Sequence, residues 1–383
     1  MSIERVILKE AEYPKQMDWD LVAKFADGIP VFSRTDPEDV VFRKIYKNPE
    51  WRAIQTFPID FSGDCYGLVY VKNEADLRSN PTGTVKDRVA WELTALYRDF
   101  ARALYLRKRN GLNGNIRNVP VPRFSYVTAG NFGMALSEAY RRFGLPPIKL
   151  LVDSSVSVDK LKALTAMHAD VYLVDLIRNV FENDKEKKKR PYTPREIKAL
   201  TNNENGVDIT SVIAIEPQAV FYDWHVHESF NEGPDQIFVP YGSGRLWENY
   251  LTWQERTIRN DADGKKDPRL RVPVGKVIGM SILGAEPENL DSGADKLTKC
   301  FNPFILFDDQ DVMALDVLSF TGKNTGIYKV REEKIKEAFD LMGRRFDTEP
   351  SGAAGLALYL QRWEEGKVDP RDKVLVVNTG KGI

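Results

Sequence analysis

Between residues 66 and 174 the sequence alternates short runs rich in β-branched and aromatic residues with runs that carry apolar residues at helical spacing. Strand-like runs fall at 66–72 (YGLVYVK), 124–127, 148–152 and 169–174, and helix-like runs at 89–97, 134–140 and 158–168. Parallel strands need a crossover between them, and a helix makes that crossover while covering the sheet's face. The pattern therefore predicts an α/β fold with a parallel sheet. It resumes with a strand at 236–240, a helix from 245 to about 255, a strand at 276–280, helices at 332–342 and 353–361, and a closing strand at 373–377. The first helix is expected to run on to 109, where 110–115 (NGLNGN) breaks it. Residues 1–60 are less legible: a short helix at 18–25, an ambiguous stretch at 40–46, and no motif.

At 383 residues the chain suits two domains or one large α/β unit and can bury a sizeable core. A formal net charge of −1 argues against a general nucleic-acid or membrane-surface binder. The basic run at 182–190 (ENDKEKKKR) is diluted by Glu182, Asp184 and Glu186, which suits a solvated face. Cys65 and Cys300 are far apart and lack C-x-x-C spacing, so neither a disulfide framework nor a zinc site is indicated. The N-terminal residues are too charged for a signal peptide and no apolar run is long enough to span a bilayer, so a cytoplasmic protein is expected. His225 and His227 have the H-x-H spacing that puts two imidazoles on one face of a strand, but no third ligand is evident and no metal is expected. His168 reads as structural or exposed.

One stretch carries chemistry. At 79–90 (SNPTGTVKDRVA) a run of turn formers delivers Lys86 onto the first turn of an amphipathic helix. The helix dipole opposes an ammonium there and favours the neutral amine that a nucleophilic lysine needs. Taken alone, the K-D-R triplet reads more readily as an ordinary solvated lysine at a helix start. Later, 128–133 (TAGNFG) follows a strand and enters a helix, as a tight βα turn or as amides converging on an anion. The turn at 240–245 (PYGSGR) has the makings of a phosphate cradle on a helix N-terminus, without the Walker lysine spacing.

Residues 80–88 (NPTGTVKDR) closely resemble the pyridoxal-phosphate lysine motif of the fold type II enzymes, the family of cysteine synthase, threonine synthase, threonine dehydratase and the tryptophan synthase β chain. The resemblance covers about residue 66 to the C-terminus and implies two three-layer α/β domains with pyridoxal 5′-phosphate in the cleft between them. Residues 60–205 would form a smaller domain with the Schiff-base lysine and the substrate-carboxylate loop. Residues 1–59 and 206–383 would form a larger one with the phosphate loop. Lys86 is the implied Schiff-base and catalytic lysine. The loop Thr128, Ala129, Gly130, Asn131 is similar to the family's substrate-carboxylate loop, with Asn131 also meeting the cofactor's ring hydroxyl. Phe132 stands where relatives often carry Thr or His. Gly242, Ser243 and Gly244 would hold the phosphate. Thr379, in the terminal turn NTGKG, matches the hydroxyl that meets the pyridine nitrogen, a neutral contact that favours elimination over transamination. Residues 349–354 (EPSGAA) resemble a segment of threonine synthases and dehydratases, and by composition are a helix start with small residues for close packing.

The resemblance implies a lyase or synthase acting on an amino acid by β-replacement or β-elimination through an α-aminoacrylate. Threonine synthase-like γ chemistry, threonine dehydratase-like deamination, and a non-catalytic ligand sensor with this fold are the alternatives. It also implies a homodimer, with no nucleic-acid or membrane partner.

Overall fold

The computed structural model describes residues 4–5, 56–94, 97, 123–128, 130–143, 145, 147–154, 156–167, 169–174, 206–208, 222–242, 244–265, 267, 270–289, 291–298 and 324–382. The expected helices at 18–25 and 98–109, the stretch at 40–46, the break at 110–115, the charge run at 182–190, His168 and Cys300 lie outside the described residues.

In chain order the elements are β1 (Glu4–Arg5), β2 (Ile59–Asp60), β3 (Leu68–Asn73), α1 (86–94), β4 (Arg123–Thr128), α2 (Asn131–Arg142), β5 (Ile148–Asp153), α3 (Val158–Ala166), β6 (Ala169–Val174), β7 (Gly206–Asp208) and α4 (Asp223–Asn231). There follow β8 (Gln236–Pro240), α5 (Arg245–Ala262), α6 (Val274–Gly279), β9 (Ser281–Pro287), α7 (Asp295–Thr298), β10 (Gly326–Val330), α8 (Glu332–Gly343), α9 (Pro350–Glu364) and β11 (Lys373–Asn378).

These strands form two sheets, a five-stranded one in the order β1-β6-β5-β4-β7 and a six-stranded one in the order β10-β9-β8-β11-β3-β2. Only the edge strands β1 and β2 run antiparallel. The mixed α/β architecture is thus the one that the alternation predicted.

Sheet membership departs from the expected division of the chain. β1 and β7, expected in the larger unit, pair with β6 and β4 of the five-stranded sheet. β2 straddles the expected boundary at residue 60 and β3 was expected in the smaller unit, yet β3 lies in register with β11 along its whole length, from Lys373↔Leu68 to Asn378↔Asn73. Which ladder a strand joins is decided by long-range pairing, and its own residues do not announce it.

The core follows the period of two that strands impose. In β8, Ile237 and Val239 face one core while Phe238 faces the other; in β11, Leu375 and Val377 oppose Val374 and Val376. Helices therefore cover both faces, which is why these runs are continuously apolar. One core joins α1, α2, α4 and α5 to both sheets, and the other packs α8 and α9 on the far face of the six-stranded sheet.

Two local expectations are corrected. Residues 274–279 form the helix α6 and the strand begins at Ser281. Pro273 opens that helix by accepting from the Lys276 amide at 2.9 Å, and the buried Gln254 amide caps the carbonyls of Val277 and Met280 at 2.6 and 3.1 Å. His225 and His227 lie in the helix α4, so two residues of separation put them on different sides of it. Each has its own partners, Glu74 and Tyr250 for His225, Asn231 and the Trp253 ring for His227. Among the described residues no cluster of His, Cys, Asp and Glu is arranged to hold a metal, and no helix is long and apolar enough to cross a membrane.

Candidate active site

In the six-stranded sheet the chain moves from β8 outward to β9 and β10, then returns to place β11 on the other side of β8. The connections therefore diverge between β8 and β11, and the crevice beyond the carboxyl ends of strands at such a switch point is where open α/β sheets bind ligands. Three loops leave that edge: 74–85 from β3, 241–244 from β8 and 379–382 from β11. In the other sheet, β4 lies between β5 and β7, so the loop after Thr128 also leaves a switch point.

Lys86 opens α1. The preceding loop is stitched to the terminal turn by a bridge of Thr84 with Gly380. The Val85 amide donates to the Thr379 carbonyl at 2.9 Å, the Thr84 hydroxyl donates to it at 3.1 Å, and the Lys381 amide donates to the Gly83 carbonyl at 3.0 Å. Lys86 and Thr379, far apart in sequence, are thereby neighbours. The Lys86 ammonium donates to the Tyr222 hydroxyl at 3.2 Å.

The other residues of the nonapeptide hold this loop in shape. Asp87 accepts from the Thr82 amide at 3.0 Å, the Thr82 hydroxyl at 2.9 Å and the Thr84 amide at 3.4 Å. Burial pushes its carboxyl up to about 7, against the opposing pull of those donors. Asn80 and Arg88 both reach Glu74, through Asn80 Nδ2 at 2.8 Å and Arg88 Nε at 3.0 Å.

Glu74 is the centre of a buried charge network. Lys72 Nζ meets Glu228 Oε2 at 2.5 Å, and Arg88 Nη2 meets the same oxygen at 3.1 Å. His225 Nδ1 lies 2.8 Å from Glu74 Oε1, and its Nε2 lies 2.8 Å from the Tyr250 hydroxyl. A carboxylate can only accept, so Nδ1 carries the proton and Nε2 accepts from Tyr250. Burial pulls the His225 imidazole down to about 4, only partly offset by Glu74. Burial alone would raise the Glu74 carboxyl, but Arg88, His225 and Lys72 hold it well below the usual carboxylate range. Two carboxylates thus face two cations around a neutral imidazole, and the lysine-bearing loop is fastened to the network.

In the five-stranded sheet, the Thr128 hydroxyl accepts from the Gly130 and Gly133 amides, both at 3.1 Å, which shapes the turn into α2. Asn131 then meets two residues that no sequence motif singled out for it. Its Nδ2 donates to Glu349 Oε1 at 3.0 Å, and its Oδ1 accepts from Lys296 Nζ at 2.9 Å. Lys296 also pairs with Glu349 Oε2. Burial pulls the Lys296 ammonium below its ordinary value, partly offset by Glu349. The Glu349 amide donates to the Gly380 carbonyl at 3.2 Å, so this cluster links the Asn131 loop to the turn beside Lys86.

The small residues after Glu349 serve packing. A Cβ on Gly352 would lie 2.5 Å from the Gly380 carbonyl oxygen, and one on Gly355 would lie 2.8 Å from that of Phe238. The Ser351 hydroxyl accepts from the Lys296 amide at 3.2 Å.

At the end of β8, Gly244 caps α5 with φ 81° and ψ −24°, a left-handed conformation that costs a side chain strain. A Cβ there would approach the Tyr241 ring hydroxyl at 3.2 Å. Gly242 precedes it; Ser243 and Ala129 lie outside the described residues. A glycine turn on an 18-residue helix, an amine on a neighbouring helix and a hydroxyl residue at the end of the adjacent strand fit pyridoxal 5′-phosphate: a dianion, an aldehyde and a ring nitrogen. Tyr222, Lys296 and the partners of Glu74 escaped the sequence because they belong to no local pattern.

A family model for pyridoxal-phosphate dependent enzymes matches residues 55–247. No curated protein matches the chain significantly by sequence. Solved structures are similar in fold. The O-acetylserine dependent cystathionine beta-synthase from Helicobacter pylori superposes with a TM-score of 0.56 at 17% identity, covering 86% of this chain and 94% of that one. O-ureido-L-serine synthase gives 0.54 at 15% identity, covering 86% and 90%. Serine racemase from Dictyostelium discoideum gives 0.53 at 17% identity, covering 88% and 97%.

Proposed function

The chain belongs to the family of pyridoxal-phosphate dependent enzymes, and on that premise we propose that it catalyses β-replacement or β-elimination on an amino acid. The observation that carries the reading is the bridge between the terminal turn and the lysine loop, with Val85 N bonded to Thr379 O at 2.9 Å. It supports a site in which a neutral hydroxyl residue, Thr379, serves the ring nitrogen of a cofactor attached to Lys86. A neutral contact leaves the ring a weaker electron sink than a carboxylate contact would, so loss of a β leaving group with the α-proton is favoured over transamination.

Bound at this site, the cofactor supplies the electron sink for cleavage at the α-carbon. The chain's own residues do the rest. Lys86 would hold the cofactor and, as a free amine, would take the α-proton of the bound amino acid. Gly242, Ser243 and Gly244, on the N-terminus of α5, receive the phosphate. Thr128, Ala129, Gly130 and Asn131 would receive the substrate carboxylate, and Asn131 would also meet the cofactor's ring hydroxyl. A homodimer in the cytoplasm belongs to the same proposal.

A second reading, γ-replacement or deamination, draws on Glu349, whose carboxylate meets Asn131 at 3.0 Å and opens the EPSGAA helix. One experiment separates the β from the γ reading. Protein loaded with pyridoxal 5′-phosphate is incubated with O-acetylserine, O-phosphoserine or O-phosphohomoserine, and products are identified by mass spectrometry. Turnover of the two β substrates, lost in Lys86→Ala, is the expected result. Turnover of O-phosphohomoserine alone moves the chemistry to the γ position. Cofactor fixed on Lys86 by borohydride without turnover of any amino acid favours a ligand sensor. Fixation on another lysine ends the assignment of Lys86.

A further inference from the structure

We propose that Tyr222 is a positioning residue for Lys86, its phenol holding the lysine nitrogen in the place from which it attaches the cofactor. The inference rests on the reading of Lys86 as the attachment residue. Tyr222 is only 2% exposed and immediately precedes α4. Its hydroxyl lies 3.2 Å from Lys86 Nζ, and Nζ lies 5.7 Å from the centre of its ring.

A contact between two freely moving side chains would carry little weight, but this one is fixed from both sides. The Tyr222 carbonyl accepts from the Val226 amide at 2.9 Å, the first bond of α4. That helix sends His225 to Glu74 at 2.8 Å and Glu228 to Lys72 and Arg88. The lysine loop reaches the same Glu74 through Asn80 and Arg88. One buried carboxylate therefore anchors both the helix that presents the phenol and the loop that presents the amine.

A phenol suits the task chemically. Its oxygen accepts from an ammonium and its O–H donates to a neutral amine, so it keeps a hydrogen bond in both protonation states. A carboxylate at that distance would favour the charged, non-nucleophilic form. Attachment needs the nitrogen lone pair to form a bond to an aldehyde carbon, and the two protons that the neutral amine loses leave with the aldehyde oxygen as water.

The test compares wild-type protein with Tyr222→Phe, which keeps the ring and removes only the hydroxyl. Cofactor-free protein is mixed with pyridoxal 5′-phosphate, quenched with borohydride at successive times, and the modified peptide is quantified. The rate of fixation on Lys86 should fall about ten-fold, as expected for loss of one hydrogen bond that positions the neutral amine. The absorption band of the loaded protein should move, and the Tm of the cofactor-free protein should stay within about 2 °C. An unchanged rate and band would overturn the proposal while leaving the cofactor assignment intact. A Tyr222→Phe variant that unfolds, or whose slower fixation comes with a much lower Tm, would overturn it too, since the phenol would then serve the fold. Wild-type protein not labelled at Lys86 would instead sink the functional reading on which the proposal stands.

Discussion

Replacing Arg88 with Met should destabilise the protein far more than an ordinary charge deletion. The Arg88 side chain is 3% exposed and its Nε meets Glu74 Oε2 at 3.0 Å. Its Nη2 meets Glu74 Oε1, Thr56 Oγ1 and Glu228 Oε2, each at 3.1 Å. With Arg88 gone, Glu74 and Glu228 share Lys72 alone, in a place where the Lys72 and Glu74 side chains are both 0% exposed. Breaking a buried ion pair from one side costs about 3–5 kcal/mol, because the charge left behind has no water to turn to. At about 2 °C per kcal/mol for a chain of this size, the Tm should fall by roughly 6–10 °C. Thermal and urea unfolding of cofactor-free protein measure the loss. The double variant Arg88→Met/Glu228→Gln removes one charge of each sign and should recover about half of it, the coupling expected of contacting residues. A loss under about 1 kcal/mol, or a double variant that is no better than the single one, would refute the account of a balanced, dry network.

The same network makes the protein sensitive to acid. His225 falls from an ordinary 6.5 to about 4 on folding, so its contribution is present above pH 6.5 and is lost as pH falls toward 4. That drop corresponds to about 3 kcal/mol, and Glu74, also depressed, adds a further loss as pH falls below its ordinary value of 4.5. Asp87, raised to about 7 on folding, adds stability as pH falls through the same window, so the test is a difference: the Tm of wild type relative to His225→Gln should fall from pH 7 to 4.5, and a constant difference would contradict the account. Gly244→Val should weaken cofactor retention about ten-fold, since the left-handed backbone costs a side chain about 1–2 kcal/mol and its Cβ would crowd Tyr241. Equilibrium dialysis checks this, and unchanged occupancy would move the phosphate elsewhere. Lys296→Met leaves Glu349, whose side chain is 13% exposed, without its cation beside Asn131. The uncompensated charge should raise the apparent Kd of an amino-acid substrate about ten-fold, as read by spectral titration. Lys296→Met/Glu349→Gln should restore it, and equal affinity in all three proteins would remove the cluster from the substrate's path.

Much of this molecule is written in short stretches of chain. Period-two apolar runs such as 236–240 and 373–377 already contain both faces of a covered strand, because successive side chains must point to opposite sides. The nonapeptide 80–88 is likewise local: Asp87 folds back on Thr82 and Thr84, within five residues, so turn and lysine arrive together. Small residues at 350–355 state that something packs closely there without saying what. Tertiary structure alone supplied the partners. The helix-to-strand change at Met280 depends on a capping side chain 26 residues away, and the H-x-H pair reads as a strand until α4 is seen packed on its neighbours. Thr84 meets the Thr379 carbonyl across 295 residues, Lys86 meets Tyr222 across 136, and Asn131 meets Glu349 across 218. Such contacts have no period and no spacing. They exist because parallel strands lie in one register, so that loops remote in sequence leave the same edge of a sheet. The register is the sum of many weak pairings, none of which a single segment of chain contains.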